Sequence, residues 1–160
     1  MKQIEIIQLG AVLIGAFCFG TLFNLKGKKL LASAFGSILS WGLFILLGRV
    51  IDNEPVNYFI VAVVVSLYSE VMARLLRTPA TPIVTTSLIP LIPGGSLYYT
   101  MAYAFESDFS KFLAKAVSTL KLASALALGI LVVTALSQLI FRRWNTQRTG
   151  IKLRSTGSKK

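Results

Sequence analysis

The residues with the clearest chemical potential lie in one uncharged stretch, residues 78–105, which reads TPATPIVTTSLIPLIPGGSLYYTMAYAF. In it, Pro90 and Pro93 are followed at once by Gly94 and Gly95. Each proline removes a helical amide and clashes with the preceding turn, and the glycines open backbone conformations that are closed to other residues. Because the stretch is long enough to cross a bilayer, the pattern predicts a membrane-spanning helix that breaks near mid-depth.

A break at membrane depth has a functional implication. Irregular backbone inside a bilayer is tolerated only where protein or a water-filled cavity covers it, as in transporters. The half-helix that would begin near Ser96 presents free amides and a positive dipole end, which suit a substrate carboxylate. We therefore interpret Pro90, Pro93, Gly94, Gly95 and Ser96 as part of a substrate path. The alternative is a kink that only improves packing.

Hydroxyl groups lie on both sides of the predicted break. Thr85 and Thr86 precede it, and Tyr99 follows it. Hydroxyls replace the hydration of a polar solute without the cost of a buried charge, so these three residues are further candidates for the substrate path. The alternative is that serine and threonine hydroxyls satisfy their own helix backbone and re-bond groups freed by proline.

A single carboxylate lies well inside the third apolar run. Glu70 is about 10 Å along a helix from Arg77. One interpretation assigns Glu70, with Arg74, a coupling role as proton carrier or as the contact for a substrate ammonium group. The other is that Arg74, four residues later, neutralises Glu70 and anchors the helix end.

Composition excludes several classes of protein. The chain is 54% hydrophobic and 14% charged, with a mean hydropathy of +0.70, which indicates an integral membrane protein. It has no histidine, and the lone Cys18 forms neither an internal disulfide nor a thiolate cage. We therefore predict no metal site, no cofactor and no enzymatic activity, since the carboxylates fall mostly in the predicted outer loops.

Five apolar runs supply the elements that would position these residues: 6–23, 30–48, 56–73, 82–105 and 122–141. Each approaches the roughly 20 residues that a spanning helix needs. The sequence predicts an all-α integral membrane protein with about five transmembrane helices, the fourth broken at the Pro-Gly-Gly motif. We expect a transmembrane domain over residues 1–145, a basic disordered cytoplasmic tail over residues 146–160 and a short surface helix from Asp108. Because Glu5 interrupts the basic flank that a signal peptide needs, the first run is interpreted as a helix.

Charge placement predicts the orientation, because lysine and arginine accumulate on the cytoplasmic side of short loops. Twelve of the 17 basic residues would share one side: three in the first loop, two after the third helix, and seven after Phe141. The acidic Asp52, Glu54, Glu106 and Asp108 would face the other side. The C-terminus is therefore predicted to be cytoplasmic, and topology explains the net charge of +11 better than nucleic-acid binding does.

Small residues at four-residue spacing predict faces that pack closely against other helices. Two such faces are Ala32, Gly36 and Ser40, and Thr119, Ala123 and Ala127. Five helices with one broken make a thin wall for a complete alternating-access transporter. We therefore expect the chain to work with partners.

The stretch PLIPGG-x-LYYTM, residues 90–101, resembles the C-terminal-type half of the threonine/serine exporter family, and more specifically the small subunit of its split, two-component members. Phe23-Asn24 before a short basic loop, the charge-free second helix and Arg74 follow the family's order. The resemblance implies export of small polar metabolites across a prokaryotic cytoplasmic membrane, together with a larger five-helix membrane subunit or further copies of this chain.

The resemblance leaves the substrate open. Fused members of the family export threonine and serine, and a split pair is associated with the export of succinate, a dicarboxylate. Coupling to the proton-motive force is likewise what the resemblance implies. The remaining alternative is a non-transporting assembly subunit of a membrane complex, for which unpaired backbone facing a lumen would have no use.

Overall fold

The computed structural model describes the backbone of residues 3–106 and 108–156 and the side chains of residues 4–106 and 108–139. Its helices are α1 (Gln3–Leu22), α2 (Lys28–Leu47), α3 (Glu54–Leu75), α4 (Ala80–Leu88), α5 (Gly94–Phe105) and α6 (Phe109–Thr156). A 3₁₀ turn, Ile89–Leu91, follows α4. The described part of the chain is helical apart from short connections, so the prediction of an all-α protein is confirmed.

Four helices, α1, α2, α3 and α6, are long and apolar enough to cross a bilayer, α6 over its segment Phe109–Leu139. The segments Ala80–Leu91 and Gly94–Phe105 pass the same test as a pair, with a bend of 60° between them. The prediction of about five spans, with the fourth one broken, is confirmed.

Helices α2 and α3 run antiparallel. Near one end of the pair the Tyr68 hydroxyl donates to the Ala32 carbonyl at 2.9 Å. Near the other end the side-chain amide of Asn57, through Nδ2, donates to the Phe44 carbonyl at 3.1 Å. The start of α2 therefore lies beside the end of α3. The hydrophobic effect does not drive helices together inside the hydrocarbon of a bilayer, so polar contacts of this kind and close packing stabilise the α2/α3 pair.

The antiparallel arrangement separates the charges. We call the end that carries Lys26, Lys28, Lys29, Arg74 and Arg77 the basic end, and the end that carries Asp52 and Glu54 the acidic end. At the acidic end Arg49, two residues after the end of α2, pairs with Glu5 of α1 at 2.7 Å, a contact that joins the first two helices.

Small residues mark the tightest helix crossings. A Cβ at Gly36 would overlap the Ser87 hydroxyl, and a Cβ at Gly129 of α6 would lie 2.6 Å from Ala62 Cβ of α3. The predicted face of α2 is confirmed, since Ala32, Gly36 and Ser40 are all buried. The predicted face of α6 is wrong: Thr119 is buried, but Ala123 and Ala127 are exposed. The packed face of α6 lies instead through Leu122 and Gly129, because that face meets α3.

Helix α6 begins at a side-chain cap. Asp108 Oδ1 accepts the Lys111 amide at 3.1 Å, and its Oδ2 pairs with Lys111 Nζ at 2.8 Å. Both contacts hold the pKa of the Asp108 carboxyl below its ordinary value of 3.8, and the side-chain hydrogen bond to Lys111 has the larger effect. The expected short surface helix is not separate, because the capped turn continues directly into the last span.

The backbone of α6 stays helical to Thr156. Residues 157–160 of the expected tail lie outside the described residues, as do all side chains after Leu139. The boundary between the transmembrane domain and a disordered tail at residue 145 stays a prediction.

Candidate functional site

The break in the fourth span follows from its two prolines. The last regular hydrogen bond of α4 runs from the Ile89 amide to the Thr85 carbonyl. The next acceptor in the helical series, the Thr86 carbonyl, would need an amide at position 90, which Pro90 lacks. Pro93 likewise offers no amide to the Ile89 carbonyl, which accepts the Ile92 amide at 3.1 Å and so tightens the chain into the 3₁₀ turn.

The break is displaced toward the acidic end, whereas the sequence predicts it near mid-depth. Leu91 packs with Tyr58, one turn into α3, and with Leu122 of α6. Nine α-helical residues and three 3₁₀ residues carry the chain about 20 Å from the basic end, while the 20 residues of α2 rise about 30 Å. The break therefore lies nearer the acidic end than the middle of α2, and α5 leaves it at 60° to the preceding segment.

Gly94 and Gly95 are the first two residues of α5, and neither has a positive φ. A Cβ at either position would meet no atom of the described chain within 4 Å. The idea that these glycines are needed for unusual backbone angles is therefore wrong. What they provide is empty space beside the break.

The start of α5 presents amides that have no acceptor within the helix. The first helical bond of α5 joins the Leu97 amide to the Pro93 carbonyl at 3.0 Å, and the Gly94 amide turns back to the Ile92 carbonyl at 2.6 Å. The amides of Gly95 and Ser96 lie between these two. Gly95 is exposed and Ser96 is half-buried, which agrees with the predicted half-helix start near Ser96.

Helices α5 and α6 form a hairpin. The hydroxyls of Thr100 and Thr119 lie 3.1 Å apart, and Lys115 Nζ lies 5.9 Å from the centre of the Tyr99 ring. None of the residues of α5 is buried, and Tyr99 is 52% exposed. One side of α5 is thus uncovered in the single chain.

The hairpin extends past the start of α3. Lys121 of α6 shares a surface pocket with Asn53 and Val56, which places residue 121 level with the first turn of α3. The 12 residues of α6 before Lys121, starting at Phe109, therefore rise about 18 Å beyond that level.

The predicted threonine candidates are not brought to the open face of α5. Thr86 is fully buried, and its Oγ1 donates to the Pro82 carbonyl at 2.8 Å. This hydroxyl therefore satisfies its own helix backbone, which is the alternative to a role in the substrate path. Thr85 is exposed on another side of α4. Pro93 is buried and Pro90 half-buried at the break itself. The structure thus gathers Gly94, Gly95, Ser96 and Tyr99 on α5 and leaves Thr86 within the α2/α4 interface.

That interface holds a feature that sequence reasoning missed. We call it the hydroxyl seam, and its members are all fully buried: Ser33, Ser37 and Ser40 of α2, and Thr86 and Ser87 of α4. Ser37 Oγ lies 3.0 Å from the Thr86 carbonyl that Pro90 leaves without an amide, and Ser87 Oγ lies 3.4 Å from the Ser33 carbonyl. The i, i+4, i+7 spacing of the serines in a charge-free helix was the signal that would have revealed the face.

Glu70 and Arg74 form an i,i+4 ion pair, which is the contact that the anchoring interpretation predicts. Arg74 Nη2 lies 3.1 Å from Glu70 Oε2, and the side chains of Glu70 and Arg74 are 20% and 41% exposed, respectively. The pair lies near the basic end of α3. Their coupling role stays a prediction.

Within the described residues, no group of three or more His, Cys, Asp or Glu residues is placed to hold a metal ion. Hydroxyls, backbone amides and aromatic rings are the groups that the site presents. These groups can hold a polar solute by hydrogen bonds.

Comparison with known proteins identifies one family. The family model described as "Threonine/Serine exporter, ThrE" matches residues 8–136, which include all of α2 to α5 and the break. A search of curated proteins and a search of solved structures found no match.

Proposed function

Because the chain belongs to the threonine/serine exporter family, it is a multi-pass membrane protein of an exporter type, and we propose that it is one subunit of a secondary exporter. The proposed complex moves small polar metabolites, namely threonine and serine or a dicarboxylate such as succinate, out of the cell. The observation that carries the proposal is the break: a membrane span that ends in free amides beside empty space at Gly94 and Gly95.

The same observation supports a partner. Amides such as those of Gly95 and Ser96 do not face hydrocarbon, because each unsatisfied group costs several kcal/mol there, about the value of a lost hydrogen bond in an apolar medium. In the single chain one side of α5 is uncovered. A larger five-helix membrane subunit of the same family, or further copies of this chain, would cover the break and leave a polar lumen.

The uncovered apolar surface of the hairpin also favours a protein partner. Tyr98 and Phe105 of α5 and Phe109 of α6 are 68%, 85% and 71% exposed. The hairpin lies beyond the first turn of α3, so part of this surface extends past the bilayer thickness that α2 and α3 match.

The proposed location is a prokaryotic cytoplasmic membrane with the C-terminus in the cytoplasm. The clustering of lysine and arginine at the basic end supports this orientation, since such residues stay on the cytoplasmic side. Substrate would then enter from the basic end and leave near the break, which lies toward the acidic end.

Glu70, with Arg74, is proposed as the coupling element. A carboxylate in a membrane span that keeps only a fifth of its side chain exposed is a group that a proton or a substrate ammonium can reach. The ion pair to Arg74 supports the other function, an anchor of the helix end, equally well.

The competing function is that of a non-transporting assembly subunit. It would explain the uncovered hairpin but not the empty space at the two glycines, because a scaffold gains from filled interfaces. Export is therefore the function that the break favours.

The test is efflux from cells that lack their own exporters for these metabolites. Cells loaded with labelled threonine, serine or succinate are compared with and without this chain, alone and together with the larger subunit. The Gly94→Leu/Gly95→Leu variant should abolish efflux while its membrane level stays normal, because a Cβ at either position meets no atom of the described chain within 4 Å. Gly10→Leu, also in open space but on α1, is the matched control and should export normally. Normal efflux by the double variant would contradict the proposed path.

A further inference from the structure

We propose that the hydroxyl seam between α2 and α4 is a second part of the solute path, closed in this structure, and that it opens when α4 separates from α2. This inference rests on the proposed export function. It assigns Ser33, Ser37 and Ser40, three residues of α2, to solute contact. It also explains why Thr86 is buried away from the open face of α5.

The first support is an unusual concentration of buried hydroxyls. Ser33, Ser37, Ser40, Thr86 and Ser87 are each 0% exposed. The three serines of α2 lie at i, i+4 and i+7, on one side of the helix. Ser37 Oγ meets the Thr86 carbonyl of α4, and the Ser33 carbonyl accepts Ser87 Oγ. The Ser33 hydroxyl donates to the Leu30 carbonyl of its own helix, near Gly20 of α1.

Ser40 points to a missing ligand. Its hydroxyl is buried and has no hydrogen-bond partner in the described structure. A buried polar atom without a partner is rare and destabilising, so a solute or water that reaches Ser40 in another state explains its presence. An alanine would fill the same place at no such cost.

The contacts across the seam are of a kind that can open. Ser37 Oγ carries one proton and lies 3.0 Å from the Thr86 carbonyl and 3.1 Å from the carbonyl of Ser33 in its own helix. If α4 moves away, Ser37 donates to Ser33 and keeps a bond. Thr86 Oγ1 already donates to Pro82 within α4. The Thr86 carbonyl then loses its donor and the Ser87 hydroxyl loses its acceptor, the Ser33 carbonyl, so that both groups become available to a passing solute.

The seam leads to the break. From Ser33 to Ser40 the α2 face rises about 10 Å toward the acidic end. The other wall continues from Ser87 through Leu88 to the 3₁₀ turn and then to the open space at Gly94. A solute that enters the opened seam therefore meets hydroxyls as far as Ser40 and Ser87, and then passes the apolar side chains of Leu88 and Leu91 before it reaches the break.

The chemistry of the wall selects the solute. Hydroxyls both donate and accept hydrogen bonds but carry no charge, so they do not neutralise an ion taken out of water. The seam fits a small polar solute without net charge, including a zwitterion, better than a dianion.

The experiment locks the seam with a disulfide. A Cβ at Gly36 would lie 2.9 Å from Ser87 Cβ, so the Gly36→Cys/Ser87→Cys pair joins α2 to α4 after a small outward shift. Cys18, the one native cysteine, is exposed and is first changed to alanine. The matched control is Ala62→Cys/Gly129→Cys, whose Cβ atoms are 2.6 Å apart between α3 and α6, a contact outside the seam.

Oxidation of the Gly36→Cys/Ser87→Cys pair should reduce efflux at least tenfold, and a reductant should restore it. The oxidised control pair should keep the efflux of its reduced form. Efflux that persists through complete cross-linking of the α2/α4 pair would overturn the inference while leaving export itself established.

A second readout does not depend on export. Ser40→Cys, fully buried in this structure, should react with a small hydrophilic methanethiosulfonate reagent in membranes, and the oxidised α2/α4 pair should protect it. Absence of labelling at Ser40→Cys would overturn the opening of the seam even if no exported substrate is found. Labelling that the α2/α4 disulfide fails to block would overturn the assigned movement.

Discussion

Gly36 is a position where a single added methyl group should destabilise the fold. In the structure, an added Cβ would overlap the Ser87 hydroxyl and lie 2.9 Å from Ser87 Cβ and 3.0 Å from Tyr68 Cε1. All three atoms belong to neighbouring helices, so Gly36→Ala must push α4 and α3 away from α2. Overpacking of this kind costs about 1–3 kcal/mol, a factor of roughly 5 to 150 in the folding equilibrium.

The matched control is Gly42→Ala in the same helix. A Cβ at Gly42 meets nothing within 4 Å, so the change only removes the flexibility of glycine and should be neutral or stabilising by about 0.5–1 kcal/mol. The measurement is unfolding of the purified chain in mixed detergent and SDS, followed by helical circular dichroism. The two variants should differ by about 2 kcal/mol or more.

A second substitution tests the cause. Ser87→Ala removes the overlapping hydroxyl but keeps the Cβ at 2.9 Å, so it should restore part of the stability that Gly36→Ala loses. In a double-mutant cycle this rescue appears as a coupling energy of about 0.5–3 kcal/mol. If Gly36→Ala is as stable as Gly42→Ala, α2 and α4 do not approach each other as described.

Three further predictions concern charge. Asp52→Cys and Lys28→Cys place a thiol at opposite ends of α2 and are made in a Cys18→Ala background. An impermeant thiol reagent should label them from opposite sides of the membrane, with Lys28→Cys reacting only from the cytoplasm. Labelling of both from one side would contradict the topology. Glu70→Gln keeps the size of the side chain and removes its charge, so export should lose its pH dependence while the chain still assembles; an unchanged pH profile would leave the residue as an anchor. The lowered pKa of Asp108 means that its cap stabilises α6 above the ordinary carboxyl pKa and is lost as pH falls through the lowered value. The protection of the first-turn amides of α6 against exchange, taken relative to their intrinsic rates at each pH, should therefore fall on acidification in the wild type but not in Asp108→Asn, and equal responses would exclude the cap.

The elements of the fold were predictable because membrane spans leave a simple signal. Apolar runs of about 20 residues placed all five crossings, and the clash of Pro90 and Pro93 with a regular helix placed the break. The ion pair of Glu70 with Arg74 was predictable too, because i,i+4 neighbours meet on any straight helix.

The features that the sequence did not predict depend on how the helices are placed relative to one another. Nothing local to Pro90 states the direction in which α5 leaves the break, at 60° to the preceding segment. The packed face of α6 was assigned to Ala123 and Ala127 by spacing, but α3 meets Leu122 and Gly129 instead. Spacing identifies residues that share a face, and only the neighbouring helix decides which face is buried.

The contact between Ser37 and Thr86 depends both on the local sequence of α4 and on the packing of α4 against α2. Pro90 alone dictates that the Thr86 carbonyl has no helical donor, so the need is local and visible in the sequence. The donor is supplied across the bundle by Ser37, at 3.0 Å. An amide at position 90 would satisfy the carbonyl within α4 and leave the 3.4 Å contact of Ser87 Oγ with the Ser33 carbonyl as the remaining hydrogen bond between α2 and α4 in the described structure. With proline there, the helices are joined by a bond that a solute hydroxyl or a water molecule can replace. The residue that breaks the span therefore also makes the neighbouring interface exchangeable, which is a requirement for a wall that must open and close.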